Sequence, residues 1–290
     1  MVDLILQSLW SGLLTGGIYA LVALGLALVF GTMKIINLAH GEMVLLAAYF
    51  SYVLEVWLGV NPILSILLAF PLICVVAAIT YYLVSRIRVD RELNSLILTY
   101  GIGIILTNVI LTTWTANIRS TNSDWLQSAL VIGPLFSMYG ELVSFLISVA
   151  LMVALWWWVS RTWYGRAVRA VSSNRDAAKL MGINPHKTEL VSFLVAGVLA
   201  TAAGAAIFST RAIDPSVGGS LTLTAFIITV LAGMGSIPGA LVGGILLGVT
   251  EALTVTLYNS AVQHLADMVL FLVVLYALPN GLFGSAKRRG

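Results

Sequence analysis

Arg161-Thr-Trp-Tyr-Gly-Arg-Ala-Val-Arg-Ala-Val-Ser-Ser-Asn-Arg-Asp-Ala-Ala-Lys-Leu-Met-Gly-Ile-Asn-Pro-His-Lys-Thr-Glu189 is a polar island in an otherwise nearly continuous apolar chain. It holds six of the fifteen Lys and Arg residues. Around it the composition is that of a protein dissolved in lipid: 60% hydrophobic, 9% charged, mean hydropathy +1.01. A soluble domain carries about a quarter charged residues. Apolar runs near the ~20 residues needed to cross about 30 Å of hydrocarbon recur on both sides of the island. They are Leu4–Phe30, Met43–Leu58, Pro62–Val84, Ser95–Thr115, Glu141–Val159, Leu190–Ala212, Leu221–Met234, Gly239–Tyr258 and Leu265–Phe283. The expectation is an all-α polytopic bundle of about eight to ten spans with broken or re-entrant segments. It forms one transmembrane domain over residues 1–290, with a single large loop at 161–189. A barrel would need repeated alternating strands of ~10 residues, and the sequence has none.

Charge sets the orientation. Arg86, Arg88 and Arg91 share one short loop, and Lys287, Arg288 and Arg289 end the chain. With Lys34 and the island these are thirteen of the fifteen basic residues, and only Arg119 and Arg211 fall between. The positive-inside rule puts the island and the C-terminus in the cytoplasm. Nine spans with the N-terminus outside satisfy every loop. Trp156, Trp157, Trp158 and Trp163 bracket Arg161, and Trp114 and Trp125 flank the opposite loop, as lipid anchoring at headgroup depth requires. Met1–Gln7 has no basic leader and no small-residue cleavage site follows it, so the first run is expected to stay as a span.

Several classes of function fall away. The external stretch 116–140 is too short for a domain, and no Gly-rich loop ends in Lys-Ser or Lys-Thr, so energy from ATP must come from another chain. Net charge +3 and pI 9.1 follow from loop topology, without the basic stripe and interleaved aromatics of a nucleic-acid binder. The lone Cys74 reads as a small packing residue. No metal, cofactor or catalytic residue is expected. An intramembrane enzyme using His40 and Glu42 would lack a His-Glu-x-x-His pattern, a Gly-x-Ser-x-Gly elbow and a second acidic pair.

Within the island lies a bounded helix signal. Ser173 with Asp176 gives an S-x-x-D capping pattern, and Gly182 followed by Pro185 marks the stop. About two turns lie between them, roughly 12 Å, with Ala177, Ala178, Leu180 and Met181 as an apolar edge and Arg175, Asp176 and Lys179 as its charges. Two turns are unstable alone in water, so the helix packs either on its own bundle or in a groove on a partner. Spacing alone leaves both readings open.

Polar residues also interrupt the first long apolar stretch, at Gly31-Thr-Met-Lys-Ile-Ile-Asn-Leu-Ala-His-Gly-Glu42. Irregular backbone at membrane depth is tolerated where it is buried or lines a cavity, and ionisable groups there mark pathways. Asn37, His40 and Glu42 are therefore candidate path residues, against an ordinary solvated turn with Lys34 and Glu42 in water. A half-helix starting near Leu38 would aim its amides at an anionic group. A second break, Gly235–Pro238, precedes Gly239, Gly243, Gly244 and Gly248 at small-x-x-x-small spacing, which lets helices approach closely. Glu251, inside a span, either pairs with a neighbouring helix or lines the path. His186 and His264 read as solvated. One broken segment in each half suits a transporter with repeated halves, although the halves match too weakly in sequence to establish a repeat.

Gly17-Ile-Tyr-Ala-Leu21, Asn37-Leu-Ala-His-Gly-Glu42, Gly165-Arg-Ala-Val-Arg-Ala170, Asp176-Ala-Ala-Lys-Leu-Met-Gly-Ile183, Gly233-Met-Gly-Ser-Ile-Pro-Gly239 and Gly281-Leu-Phe-Gly284 run from the first span to the last. In this order they resemble the permease subunits of branched-chain amino-acid ABC importers, specifically the shorter of the two paired permeases. One departure is Leu278-Pro279-Asn280-Gly281, where the family often has Arg-Pro followed by Gln-Gly-Leu-Phe-Gly; it bears only on local anchoring. The resemblance implies that Arg175–Gly182 is the coupling helix that touches an ATPase. It implies a second permease, two ATP-binding subunits and a periplasmic or extracellular solute-binding protein in a bacterial plasma membrane. The implied cargo is a branched-chain or other amino acid, with urea or short amides as the alternative. A gradient-driven secondary transporter is the rival outside the family.

Overall fold

A computed structural model describes residues 1–283. Gly284 of the terminal motif and the Lys287, Arg288 and Arg289 cluster lie outside the described residues. In chain order the elements are α1 (Val2–Met33), α2 (His40–Leu58), α3 (Ile66–Ser85), α4 (Arg91–Trp114), α5 (Asp124–Gln127), β1 (Ala129–Ile132), β2 (Leu135–Met138), α6 (Tyr139–Arg161), α7 (Trp163–Ser173), α8 (Arg175–Leu180), α9 (Pro185–Thr210), α10 (Val217–Ala232), α11 (Ile237–Leu257) and α12 (Gln263–Ala277). Among the described residues eight helices are long and apolar enough to cross a membrane, counting α12 with the 3-10 turn Ser260–Val262 that leads into it, and α10 is a shorter apolar helix. The protein is a multi-pass membrane bundle. The loop between α5 and α6 adds one feature the composition concealed, an antiparallel hairpin pairing Ala129 with Met138 and Ile132 with Leu135.

The centre is α1, almost wholly buried along its middle, with α9, α2, α10 and α11 around it. α1 and α11 cross glycine on glycine, because lipid offers no hydrophobic drive and helices associate through close packing. A Cβ built on Gly16 would lie 2.6 Å from the Ile245 Cα, and one on Gly244 would lie 2.6 Å from the Gly16 carbonyl oxygen. The small-residue spacing of α11 thus meets a matching Gly12/Gly16 pair on α1.

The packing pattern is two-fold. α1 lies on α10 and α11 as α9 lies on α2 and α3. α2 meets α3 and α4 as α10 meets α11 and α12, while α1 touches α9 and α2 touches α10. The four helices α1–α4 thus repeat as α9–α12, a repeat that the side-chain sequence hides. α6 stands outside it, packed on α1 and α9, and the polar island forms α7 and α8 between the halves.

Each half contains a re-entrant start. α1 ends at Lys34 in a left-handed conformation (φ 59°), and the chain turns back into the bundle before α2 begins. His40 Nε2 lies 2.9 Å from the Val22 carbonyl oxygen, about 16 Å along α1 from its last residue by helical rise. At the other end α9 stops at Thr210, and α10 begins with Gly218 against Glu42. The N-termini of α2 and α10 therefore converge inside the bundle.

Candidate functional site

The convergence point is built from backbone. The Gly41 N–H donates to Thr222 Oγ1 (3.0 Å), and that hydroxyl donates to the Leu38 carbonyl (3.3 Å). The Leu38 N–H is taken by Thr99 Oγ1 of α4 (3.1 Å). Gly41 has no room for a side chain, because a Cβ there would lie 2.5 Å from the Thr222 nitrogen. A Cβ on Gly218 would run into the Glu42 carboxylate. Glu42 thus lies against the first turn of α10, where the helix dipole favours an anion by about 0.3–1 kcal/mol, up to about 2 in buried geometry.

Beside it opens a cavity of about 590 Å³. Among the described residues Glu42 is its single carboxylate, and the walls come from Leu38, Tyr100, Gly103, Ile104, Thr107, Asn108, Thr222, Leu223 and Phe226, among others. Glu42 is 7% exposed, and its Oε2 has no hydrogen-bond partner among the described residues. An unmatched buried polar atom costs about 1–3 kcal/mol, more when charged.

The other expected path residues separate from it. Asn37 and His40 are 2% and 1% exposed and do not line the cavity. Asn37 Oδ1 accepts the Ala39 N–H (3.1 Å), which tightens the re-entrant turn, and the His40 ring bridges that turn to Val22. Both shape the backbone that presents Glu42. Glu251 belongs to a different place, a polar cavity of about 490 Å³ between α1, α6 and α11 at the end of the bundle opposite α8. There Tyr19 Oη donates to Glu251 Oε2 (2.9 Å), and Arg211 Nη1 reaches Tyr19 Oη at 3.4 Å.

At the α8 end the helix signal is nearly as expected, with its cap shifted. Asn174, rather than Ser173, is the N-cap: its Oδ1 accepts the N–H groups of Asp176 and Ala177, both at 3.0 Å. The amide oxygen of Asn174 reaches both donors, so Ser173 instead closes α7. Gly182 ends the turn at φ 81°, as its position implied. Ala178 is buried, facing α7, while Leu180 and Met181 stand 88% and 81% exposed. Asp176, Ala177, Lys179 and Gly182 are also on the surface. The helix packs on its own chain through one residue and shows its largest apolar side chains outward.

Sequence reasoning missed the group that anchors this knob. Glu189, in the first turns of α9, is 1% exposed. Its Oε1 lies 3.0 Å from Arg175 Nε and its Oε2 3.3 Å from Arg91 Nη2. Tyr81 Oη of α3 reaches the same carboxylate at 3.5 Å and His186 Nδ1 at 3.2 Å, so His186 is exposed but engaged. α8, α9, α4 and α3 meet at one carboxylate. An acid placed just where a basic loop enters an apolar span was the available signal. Nearby, Tyr164 of α7 donates to the Thr188 carbonyl, and burial pushes its pKa up to about 12. Among the described residues no group of three His, Cys, Asp or Glu side chains is placed to hold a metal.

Residues 8–278 match the family described as branched-chain amino acid transport system, permease component. The chain is 30% identical to the high-affinity branched-chain amino acid transport system permease protein BraD of Pseudomonas aeruginosa, covering 97% of this chain and 96% of the relative. It is 29% identical to the corresponding LivH of Escherichia coli, again over 97% and 96%. A solved chain of PsaBC from Streptococcus pneumoniae, in complex with Fab, superposes with a TM-score of 0.53 over 98% of both chains at 12% identity, which shows a shared fold alone. A transport protein rather than an enzyme, the chain belongs to the branched-chain amino-acid permease family of ABC importers.

Proposed function

We propose that this permease is one of a pair in an ATP-driven importer of branched-chain amino acids. It works with two ATP-binding subunits below and a solute-binding protein above, in a bacterial inner membrane. The α8 end faces the cytoplasm and the N-terminus lies outside. The distribution of basic residues supports that orientation, because Lys34, the Arg86–Arg91 loop and the island share one end while Arg119 and Arg211 lie at the other.

The observation that carries the reading is the anchored knob. A helix of six residues does not persist in water by itself. Here Asn174, Ala178 and the Arg175–Glu189 pair hold it while Leu180 and Met181 point away from the protein. Large exposed apolar side chains on a rigid support mark a docking surface, and a nucleotide-hydrolysing subunit is its occupant. The solute path runs through the cavity at Glu42, with Asn37 and His40 shaping its entrance and Glu251 lining the separate outer chamber. α4 closes the cavity on one side with Gly103, Ile104, Thr107 and Asn108, and beyond the cavity it exposes Thr112. Polar side chains on a span face protein or water rather than lipid, so the second permease packs there.

The ATPase must bind the inward- and outward-facing states with different free energies, or it shifts nothing. The test is Met181→Asp in the complete transporter. Insertion is expected to be unaffected, while ATPase co-purification and ATP-driven leucine uptake fall at least tenfold. Undiminished uptake by that variant would refute the docking role.

A further inference from the structure

We propose that Glu42 binds the ammonium group of the solute in the middle of the membrane, while Ile104, Leu223 and Phe226 receive an aliphatic side chain. Recognition of an amino group would then be built into this chain and not left to the solute-binding protein. The proposal rests on the importer reading above and adds to it the residue that selects.

Three observations carry it. Glu42 lines the cavity with one carboxylate oxygen lacking any hydrogen-bond partner among the described residues. Among the described residues no Lys, Arg or His lines the same cavity. The remaining walls are mostly apolar, with Tyr100, Thr107, Asn108, Ser216 and Thr222 as the scattered hydroxyl and amide groups.

A carboxylate held against the first turn of α10 is favoured there by the helix dipole, and its Oε2, seated beside Gly218, has no hydrogen-bond partner among the described residues. A sugar presents many hydroxyls and no charge, and would leave that carboxylate without a counter-ion. A primary ammonium supplies three donors and the opposite charge. Gly218 and Gly219 open the first turn of α10 without side chains to block the approach.

The test uses the full transporter in proteoliposomes with its ATP-binding subunits. Dicyclohexylcarbodiimide, an apolar carboxyl reagent, is applied and modification at Glu42 is read by mass spectrometry. Leucine and 3-methylbutylamine are expected to slow that modification at least tenfold. 4-Methylpentanoate, which has the same tail without the amine, is expected to leave it unchanged. Independently, Glu42→Gln should lower leucine uptake about thirtyfold, equivalent to about 2 kcal/mol, with Glu42→Asp intermediate. Labelling unaffected by leucine and the amine, a Glu42 that the reagent never modifies, or wild-type uptake by Glu42→Gln overturns the proposal while the importer stands. Absence of any leucine uptake by the wild-type transporter removes the importer reading itself, and the proposal with it.

Discussion

Replacing Glu189 by Gln tests how the knob is joined to the membrane helices. Gln keeps the shape and one acceptor oxygen but removes the charge shared by Arg175 (3.0 Å) and Arg91 (3.3 Å). At an effective dielectric near 20, each cation–anion contact is worth about 4 kcal/mol gross at ~4 Å between charge centres. Burying Glu189 offsets several kcal/mol of this. The two guanidinium side chains are 24% and 34% exposed, so water already shares and screens them. A net loss of about 2 kcal/mol follows, within the range for hydrogen bonds to charged groups, or about thirtyfold between attached and detached states of α8. Because Arg91 begins α4 and α4 walls the Glu42 cavity, detachment should separate hydrolysis from movement of that wall. The assay is the ratio of leucine transported to ATP hydrolysed in proteoliposomes. Glu189→Gln should keep ATP hydrolysis and lose most uptake per ATP, and Glu189→Asp should recover part of it. A wild-type ratio in Glu189→Gln refutes the mechanical link.

Three further substitutions probe packing rather than coupling. Ala178→Arg places a charge in the buried contact between α8 and α7, so it should destabilise the loop by about 2 kcal/mol or more and raise protease cleavage there, whereas Met181→Asp should not. Gly244→Leu should prevent folding, seen as loss of monodisperse protein in detergent, because α1 and α11 cannot separate enough to admit it. Gly101→Ala meets nothing within 4 Å and should raise thermal stability by up to about 1 kcal/mol.

The span pattern and the stop of α8 were legible because both follow from composition and backbone chemistry. Runs of ~20 apolar residues declare themselves, and Gly182 with Pro185 is a local signal. Glu42 was legible as a polar residue at membrane depth. What failed to show in the sequence was partnership. Glu251 and Glu42 look alike in a linear chain, both acids in apolar surroundings, and only the fold sends one to a polar network with Tyr19 and Arg211 and the other to an unpaired position. Glu189 was hidden for the opposite reason: at the margin of a basic loop it reads as a solvated charge, yet three helices close over it. The broken segments pointed to repeated halves, but the repeat did not show as matching residues, because close packing in lipid asks only for small residues at crossings.

The repeat also explains why the selective charge sits where it does. Two half-helices meeting N-terminus to N-terminus bring two positive dipole ends together, which is unfavourable without an anion between them. Glu42 supplies that anion from the first turn of α2 and rests on the first turn of α10. The corresponding early positions of α10, Gly218 and Gly219, carry no charge, so the two halves differ at the point where they touch. A second carboxylate there would compete with the first and raise the cost of ionising either. With one acid, the junction is neutralised from the α10 side by backbone and left open on the cavity side. Changing Gly219, which has open space at its Cβ, to Asp tests this asymmetry. The added acid should repel Glu42 and lower leucine uptake. Unchanged uptake would show that a single acid between the dipole ends is not what the cavity requires.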